Sequence, residues 1–313
     1  MANILITGAN GFIGSHVSKL MESLGHQIVP IDVMPRSQDL SLLGINTQSR
    51  LMNVTDAAAF RGVCLKARPT HVFHAAHPPR DETPTVLDYC YHAMTNILEA
   101  AKELKIQRIV YSSSASIYGQ LKKPAGSLVK EDDAVTIYPT YFYRAAKTVS
   151  EWMGNFYKEK HGVDFVALRY SSVYGPGLYR SIPLELKKGV LGQRCRPFLT
   201  RPLDDLIYVD DVADGVRRAL FTERPLSRAY NIGLDKAYVS EDLKRAIQKA
   251  LPELKFEIGQ HPNAAEVAPH RLRSPLDISL AKKELGWAPK IYLDEGIAKL
   301  AAWLQEHKSQ LKV

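Results

Sequence analysis

Through the first half of the chain, short runs of aliphatic and β-branched residues alternate with longer stretches whose apolar positions recur every three or four residues. Residues 3–7 (NILIT), 26–32 (HQIVPID), 70–76 (THVFHAA), 107–114 (QRIVYSSS) and 163–171 (VDFVALRYS) have the length and near-continuous hydrophobicity of strands covered on both faces. Residues 14–25, 55–67, 95–105 and 141–162 carry helical spacing. Strand–helix alternation predicts βαβ units and an α/β fold, a doubly wound parallel sheet with helices on both faces. After residue 175 the rhythm breaks. Residues 175–205 are rich in Gly, Pro and Arg and predict loop and short helix, LIYVDDVADGVRRAL returns to strand then helix, and AYNIG (229–233) is one more strand. SEDLKRAIQKAL and LDEGIAKLAAWLQEH are amphipathic helices. The expected division is a first domain over 1–175, to which about 204–232 returns, and a smaller lobe built mainly from 176–313.

Composition narrows the class without naming it. Of 313 residues 45% are hydrophobic and 24% charged, as in ordinary globular proteins, and no run of about 18 apolar residues predicts a membrane span. The N-terminus lacks the basic and small-residue features of a signal peptide. Cys64, Cys90 and Cys195 are odd in number and far apart, which argues against a disulfide framework or a metal site and fits a cytoplasmic protein. The net charge of +8 is scattered, with no basic arm or aromatic–basic motif, so no nucleic-acid partner is expected. The charge reads as solubility or as attraction of an anionic substrate or cofactor.

Two local patterns bring chemistry. Gly8, Gly11 and Gly14 lie between the first strand and first helix in LITGANGFIGSHV, where glycines let backbone approach a pyrophosphate at a helix N-terminus. Asp32 ends the second strand, where an acid can hydrogen-bond the adenosine ribose and repel a 2′-phosphate. NAD is therefore expected over NADP, with Arg36 nearby as the residue that argues the other way. Further along, Tyr143 sits four residues before Lys147, one helical turn away on the same face. A phenol ionises near ~10 and is a poor base at neutral pH, but an adjacent ammonium stabilises phenolate. Tyr143 would then accept the proton of a substrate hydroxyl. A nearby serine would hold the same oxygen, and Ser112, Ser113, Ser114 and Ser116 all compete for that role.

These segments resemble the short-chain dehydrogenase/reductase superfamily, and VYSSSASIYG, YPTYFYRAAKTVSE, LRYSSVYGPG, YVDDVADG and LDISLAKKELGWAP together resemble its extended branch of NAD-dependent sugar-nucleotide epimerases and dehydratases. The resemblance covers essentially the whole chain. It implies a Rossmann fold and hydride transfer at a secondary hydroxyl. Ser114, Tyr143 and Lys147 would be catalytic, with Lys147 also on the nicotinamide ribose. Cofactor contacts would come from Gly8, Gly11, Phe12, Ile13, Gly14, Asp32, Asn53, Val54, Ala75, Ala76, His77, Ser112, Tyr170 and Val173. Ser116, Ser172, Arg201 and Arg273 would face substrate. A homodimer through helices near 90–104 and 141–158 is implied as well.

Departures from the family pattern keep alternatives open. Dehydratases of the branch carry an acid pair where Ala115 and Ser116 stand, so dehydration is not expected. The arginine that grips a diphosphate just before the FIYVDD-like segment is replaced by Asp204, and a carboxylate cannot bind a diphosphate unaided. Arg194, Arg196, Arg201, Arg271 and Arg273 are the candidate replacements. A 4-epimerase-like reaction on a nucleotide sugar is the leading expectation. A net dehydrogenase of a free sugar or sugar acid is the alternative, and a non-catalytic dinucleotide sensor the third.

Overall fold

The computed structural model describes residues 1–78, 83–119, 123–124, 127–135, 142–199, 205–223, 226–259 and 274–312. Among them the chain runs β1 (Asn3–Thr7), α1 (Phe12–Ser23), β2 (Gln27–Asp32), α2 (Gln38–Ser41), β3 (Arg50–Leu51), α3 (Ala57–Ala67), β4 (His71–His74), α4 (Thr85–Leu104) and β5 (Arg108–Ser114). A 3-10 turn (Ala115–Tyr118) precedes α5 (Phe142–His161), β6 (Phe165–Tyr170), β7 (Ser172–Tyr174), α6 (Ser181–Val190) and β8 (Phe198–Leu199). Then follow β9 (Leu206–Tyr208), α7 (Val209–Phe221), β10 (Ala229–Ile232), α8 (Ser240–Ala250), β11 (Ile258–Gly259) and α9 (Leu293–Glu306).

Seven strands form one parallel sheet in the order β10-β6-β5-β4-β1-β2-β3. The order runs outward in both directions from the β1/β4 pair, so that pair is the topological switch point, and ligands of such sheets bind in the crevice beyond its strand ends. Helices form where apolar residues recur at helical spacing. In α1 the stripe is Val17 and Met21. In α4 it is Val86, Cys90, Ala93, Met94, Ile97 and Ala101, and burying a residue such as Met94 or Ile97 contributes roughly 1.5–3 kcal/mol. That stripe starts α4 at Thr85, ten residues before the helix expected from 95–105.

Two buried clusters flank the sheet. One packs Leu5, Val72, Met94, Ile97, Ile109 and Phe165; the other joins Ile6, Val17, Val110 and Leu168 to Val216, Trp287, Ile297 and Leu300 of the later chain. The C-terminal lobe is fastened by polar ties as well. The Trp287 indole donates to Asp211 O at 3.0 Å, and the Asp211 carboxylate accepts Lys290 N at 3.0 Å and Ile291 N at 2.8 Å. Two short parallel pairs, β7 with β9 and β8 with β11, stand outside the main sheet. At α2, the segment following Asp32 meets the later chain. Asp39 pairs with Lys187 of α6 at 2.5 Å, Gln38 Nε2 donates to Gln310 O at 2.6 Å, and Leu40 lies under Gly177. A Cβ at Gly177, where φ is +83°, would stand 2.2 Å from Leu40 Cδ2. No helix among the described residues is long and apolar enough to cross a membrane.

Candidate active site

The loop after β1 is built for close backbone approach. Gly8 has φ +71°, and a Cβ there would lie 2.6 Å from Ala76 N and 2.7 Å from Ala75 C, so the loop rests on the end of β4. A Cβ on Gly14 would lie 2.0 Å from Gly8 O, which presses the first turn of α1 onto the same loop. Gly11 caps α1 without a side-chain hydrogen bond, and the first turn, beginning Phe12–Ile13, holds no acid. The leading N–H groups are thus left for an anion that the helix dipole favours. Behind the loop, Thr7 Oγ1 meets His74 Nδ1 at 2.7 Å and Ala75 N donates to Thr7 O at 3.0 Å.

Asp32 is positioned by backbone. Its Oδ2 accepts Asn10 N at 2.9 Å and its Oδ1 accepts Met34 N at 3.1 Å, while Asn10 Nδ2 donates to Met34 O at 2.7 Å. Each carboxylate oxygen keeps a further lone pair for a ribose hydroxyl. Arg36 is half-buried near Asp32 and Glu22; burial depresses its guanidinium pKa against the pull of both acids. Asn53 is exposed and accepts Thr55 N at 3.0 Å, whereas Val54 is buried and its carbonyl takes Asn96 Nδ2 of α4 at 2.9 Å. Cradle, helix end and acid fit a dinucleotide's pyrophosphate and adenosine ribose.

Across the crevice, α5 presents Tyr143 and Lys147 one turn apart. Lys147 is buried, and its Nζ donates to Ser112 O at 2.6 Å. The same ammonium lies 4.9 Å from the Tyr111 ring centroid and 5.7 Å from that of Tyr143. His77 packs its ring against Tyr143 at 4.8 Å, and its Nδ1 donates to Pro78 O at 2.7 Å. Burial, with Lys147 and His77 beside it, pushes the His74 pKa down to about 3, so that imidazole is neutral. Ser114 Oγ accepts Ser116 N at 3.1 Å at the head of the 3-10 turn. Ser112 and Ser116 are buried, and Ser116 Oγ has no hydrogen-bond partner among the described residues.

Tyr170 pairs in register with Ser114 and is buried, which raises its hydroxyl pKa. Ser172 and Val173 are half-buried on β7, and Ser172 N donates to Asp205 O at 3.0 Å. Arg201, Arg273, Arg271 and Asp204 lie outside the described residues; Arg194 and Arg196 are exposed. Among the described residues no group of three or more His, Cys, Asp or Glu side chains could hold a metal.

Some residues important to this geometry had no sequence expectation. The Asp205 carboxylate accepts Leu234 N at 2.8 Å and Leu276 N at 3.1 Å, and burial pushes its pKa up to about 6 despite those bonds. Glu151 and Arg169 form a buried ion pair behind Ser113. The spacing of Glu151, four residues after Lys147, is the one signal that pointed there.

The switch-point cradle together with the Tyr143–Lys147 face defines a dinucleotide-dependent enzyme of the extended short-chain dehydrogenase/reductase type. A family model described as the NAD dependent epimerase/dehydratase family matches residues 4–233, and the chain belongs to that family. UDP-glucose 4-epimerase of Mycolicibacterium smegmatis is 28% identical over 331 residues, covering 98% of this chain and 99% of that protein. UDP-glucuronate 4-epimerase 5 of Arabidopsis thaliana is 27% identical, covering 96% of this chain and 74% of its own length. In fold, the chain is similar to the crystal structure of UDP-glucose 4-epimerase with UDP-glucose from Thermotoga maritima, at a TM-score of 0.83 and 23% identity, with 98% and 99% of the two chains covered.

Proposed function

We propose that this NAD-dependent enzyme epimerises a nucleotide sugar at a secondary hydroxyl, in a 4-epimerase-like reaction. The observation that carries the proposal is Lys147, buried and fastened to Ser112 O at 2.6 Å, one turn from Tyr143. NAD, when bound, supplies a hydride acceptor that can return the hydride to either face of the sugar carbon. Tyr143 takes and gives back the hydroxyl proton, Lys147 stabilises its phenolate, and Ser114 donates to the same oxygen. Gly8, Gly11 and Gly14 with the α1 N-terminus hold the pyrophosphate, and Asp32 holds the adenosine ribose. Ser116, Ser172, Arg201 and Arg273 are our candidates for substrate contact, within a lobe formed mainly by 176–313 beside a first domain of 1–175 joined by 204–232.

Asp204, standing where the family resemblance implies an arginine, supports a second reading: net oxidation of a free sugar or sugar acid. Purified protein incubated with UDP-glucose, UDP-glucuronate and free sugar acids separates the two. Epimerisation without net NADH, by protein that keeps NAD through gel filtration, supports the first; steady NADH formation on a sugar acid replaces it with the second. Tyr143→Phe is expected to lower turnover by at least about a hundredfold with NAD binding retained, and unchanged turnover removes the catalytic assignment.

We also place the protein in the cytoplasm, which suits its three free cysteines. A homodimer through α4 and α5 would cover Tyr91, Trp152 and Phe156, which are 52%, 67% and 43% exposed. Trp152 and Phe156 stack on each other at 6.0 Å, a preformed apolar ridge.

A further inference from the structure

Behind Tyr143 and Lys147 runs a buried polar chain that the chemistry above does not use. Glu151 follows Lys147 by four residues and Tyr143 by eight, so the three side chains leave α5 in a row, one turn apart. Glu151 is 5% exposed and accepts the Ser113 hydroxyl. Arg169 of β6, 7% exposed, donates to it from Nε at 3.2 Å to each oxygen and from Nη2 at 2.7 Å. The remaining arm of Arg169, Nη1, donates to Tyr118 Oη and to Glu131 O, both at 2.9 Å. Tyr118 then donates to Asn231 Oδ1 at 2.6 Å, and Asn231 Nδ2 reaches Val129 O at 2.8 Å and Asp277 O at 3.1 Å.

We propose that Glu151 is a positioning residue: through Ser113 and Arg169 it fixes the register of α5 against the end of β5 and so holds Tyr143 and Lys147 opposite Ser114. The inference rests on the reading of Tyr143 as the base. Its physical ground is the number of tethers. Lys147 alone, bonded to Ser112 O, would leave the helix a pivot; a second bond one turn later, from the adjacent residue Ser113, removes it. A buried ion pair is a poor source of net stability compared with apolar packing, whereas a buried polar contact with one satisfied geometry specifies register. The chain of bonds also ends where it matters. Tyr118 closes the 3-10 turn that Ser114 begins, so Arg169 holds both the helix bearing the base and the turn bearing the serine.

Ser113→Ala cuts the tether and leaves the ion pair intact; Glu151→Gln keeps size and an acceptor but removes the charge. The readout is tyrosinate absorbance of the NAD-loaded protein during an alkaline titration, with Tyr143→Phe as the blank, which needs no substrate. Ser113→Ala, which leaves every charge in place, is expected to raise the midpoint assigned to Tyr143 by about one pH unit, a tenfold change; Glu151→Gln raises it less, because loss of a buried carboxylate by itself favours phenolate. Bound NAD and circular dichroism stay as in the unaltered protein. With any UDP-sugar that turns over, kcat falls about tenfold and KM stays within about twofold. An unchanged midpoint in Ser113→Ala overturns the inference, as does a shift seen only together with loss of NAD or of secondary structure. If the Tyr143→Phe blank removes no titration below the pH of an ordinary phenol, the reading of Tyr143 as base is what fails. If it does remove one and Ser113→Ala does not move it, only the positioning role fails.

Discussion

Acidification is expected to destabilise this protein through two histidines of β4. His71 is 8% exposed, bonded from Nδ1 to Thr70 Oγ1 at 2.9 Å and packed on Phe221 with ring centroids 5.0 Å apart. Burial, then Arg108 and His26, push its pKa down to about 4; burial, then Lys147 and His77, take His74 to about 3. An unfolded histidine titrates near ~6.5, so the unfolded chain binds these protons first. Stability is therefore full above that value and lost as pH falls below it, the loss from each group ending only below its folded pKa. At about pH 5, one and a half units down the slope, each histidine costs roughly 2 kcal/mol. Asp205 works in the opposite direction. Its folded pKa of about 6 lies above that of a free carboxyl, so its protonation returns about 1 kcal/mol over the same interval. The wild-type curve thus mixes signs, and a difference measurement isolates the histidines. Urea unfolding of wild type, His71→Gln and His74→Gln near neutrality and at about pH 5 is the assay. Each variant is expected to lose roughly 2 kcal/mol less than wild type between the two conditions. Parallel pH dependence in variant and wild type refutes the reasoning.

Other perturbations test other links. Gly14→Ala puts a methyl 2.0 Å from Gly8 O, so calorimetry is expected to show NAD affinity reduced at least about tenfold and stability lowered by about 1–3 kcal/mol. Gly62→Ala in α3 meets nothing within 4 Å and is expected to raise stability by about 1 kcal/mol in urea unfolding, with NAD affinity unchanged. Trp152→Glu charges the exposed α5 ridge; if the proposed homodimer forms through it, light scattering is expected to report dimers for the unaltered chain and monomers for the variant.

How far the sequence leads depends on the range of the interaction. Strands β1, β4, β5, β6 and β10 of the main sheet are buried almost throughout and announce themselves as apolar runs; NILIT coincides with β1 residue for residue. The cradle is legible because its glycines answer a local demand, a positive φ at Gly8 and contact at Gly14. Arg50 and Leu51 of β3 are both exposed, and two residues carry no period to read. The early turns of α4 mix β-branched and aromatic residues whose helix propensity is weak, and only packing of Val86 and Cys90 settles them. Asp205 is least legible of all, since its partners lie 29 and 71 residues away. Arg169 looks like an ordinary surface charge until the fold encloses it, and Glu151 shows itself only by its spacing from Lys147.

The contacts at α2 carry one more consequence. Asp39, Leu40 and Gln38 follow Asp32 within eight residues, and each is gripped by a part of the chain beyond residue 176. The segment that follows Asp32 and the chain beyond residue 176 are therefore stitched along one seam. Loosening that seam at Lys187 or Gly177 would therefore disturb the segment that follows Asp32 without altering Asp32 itself.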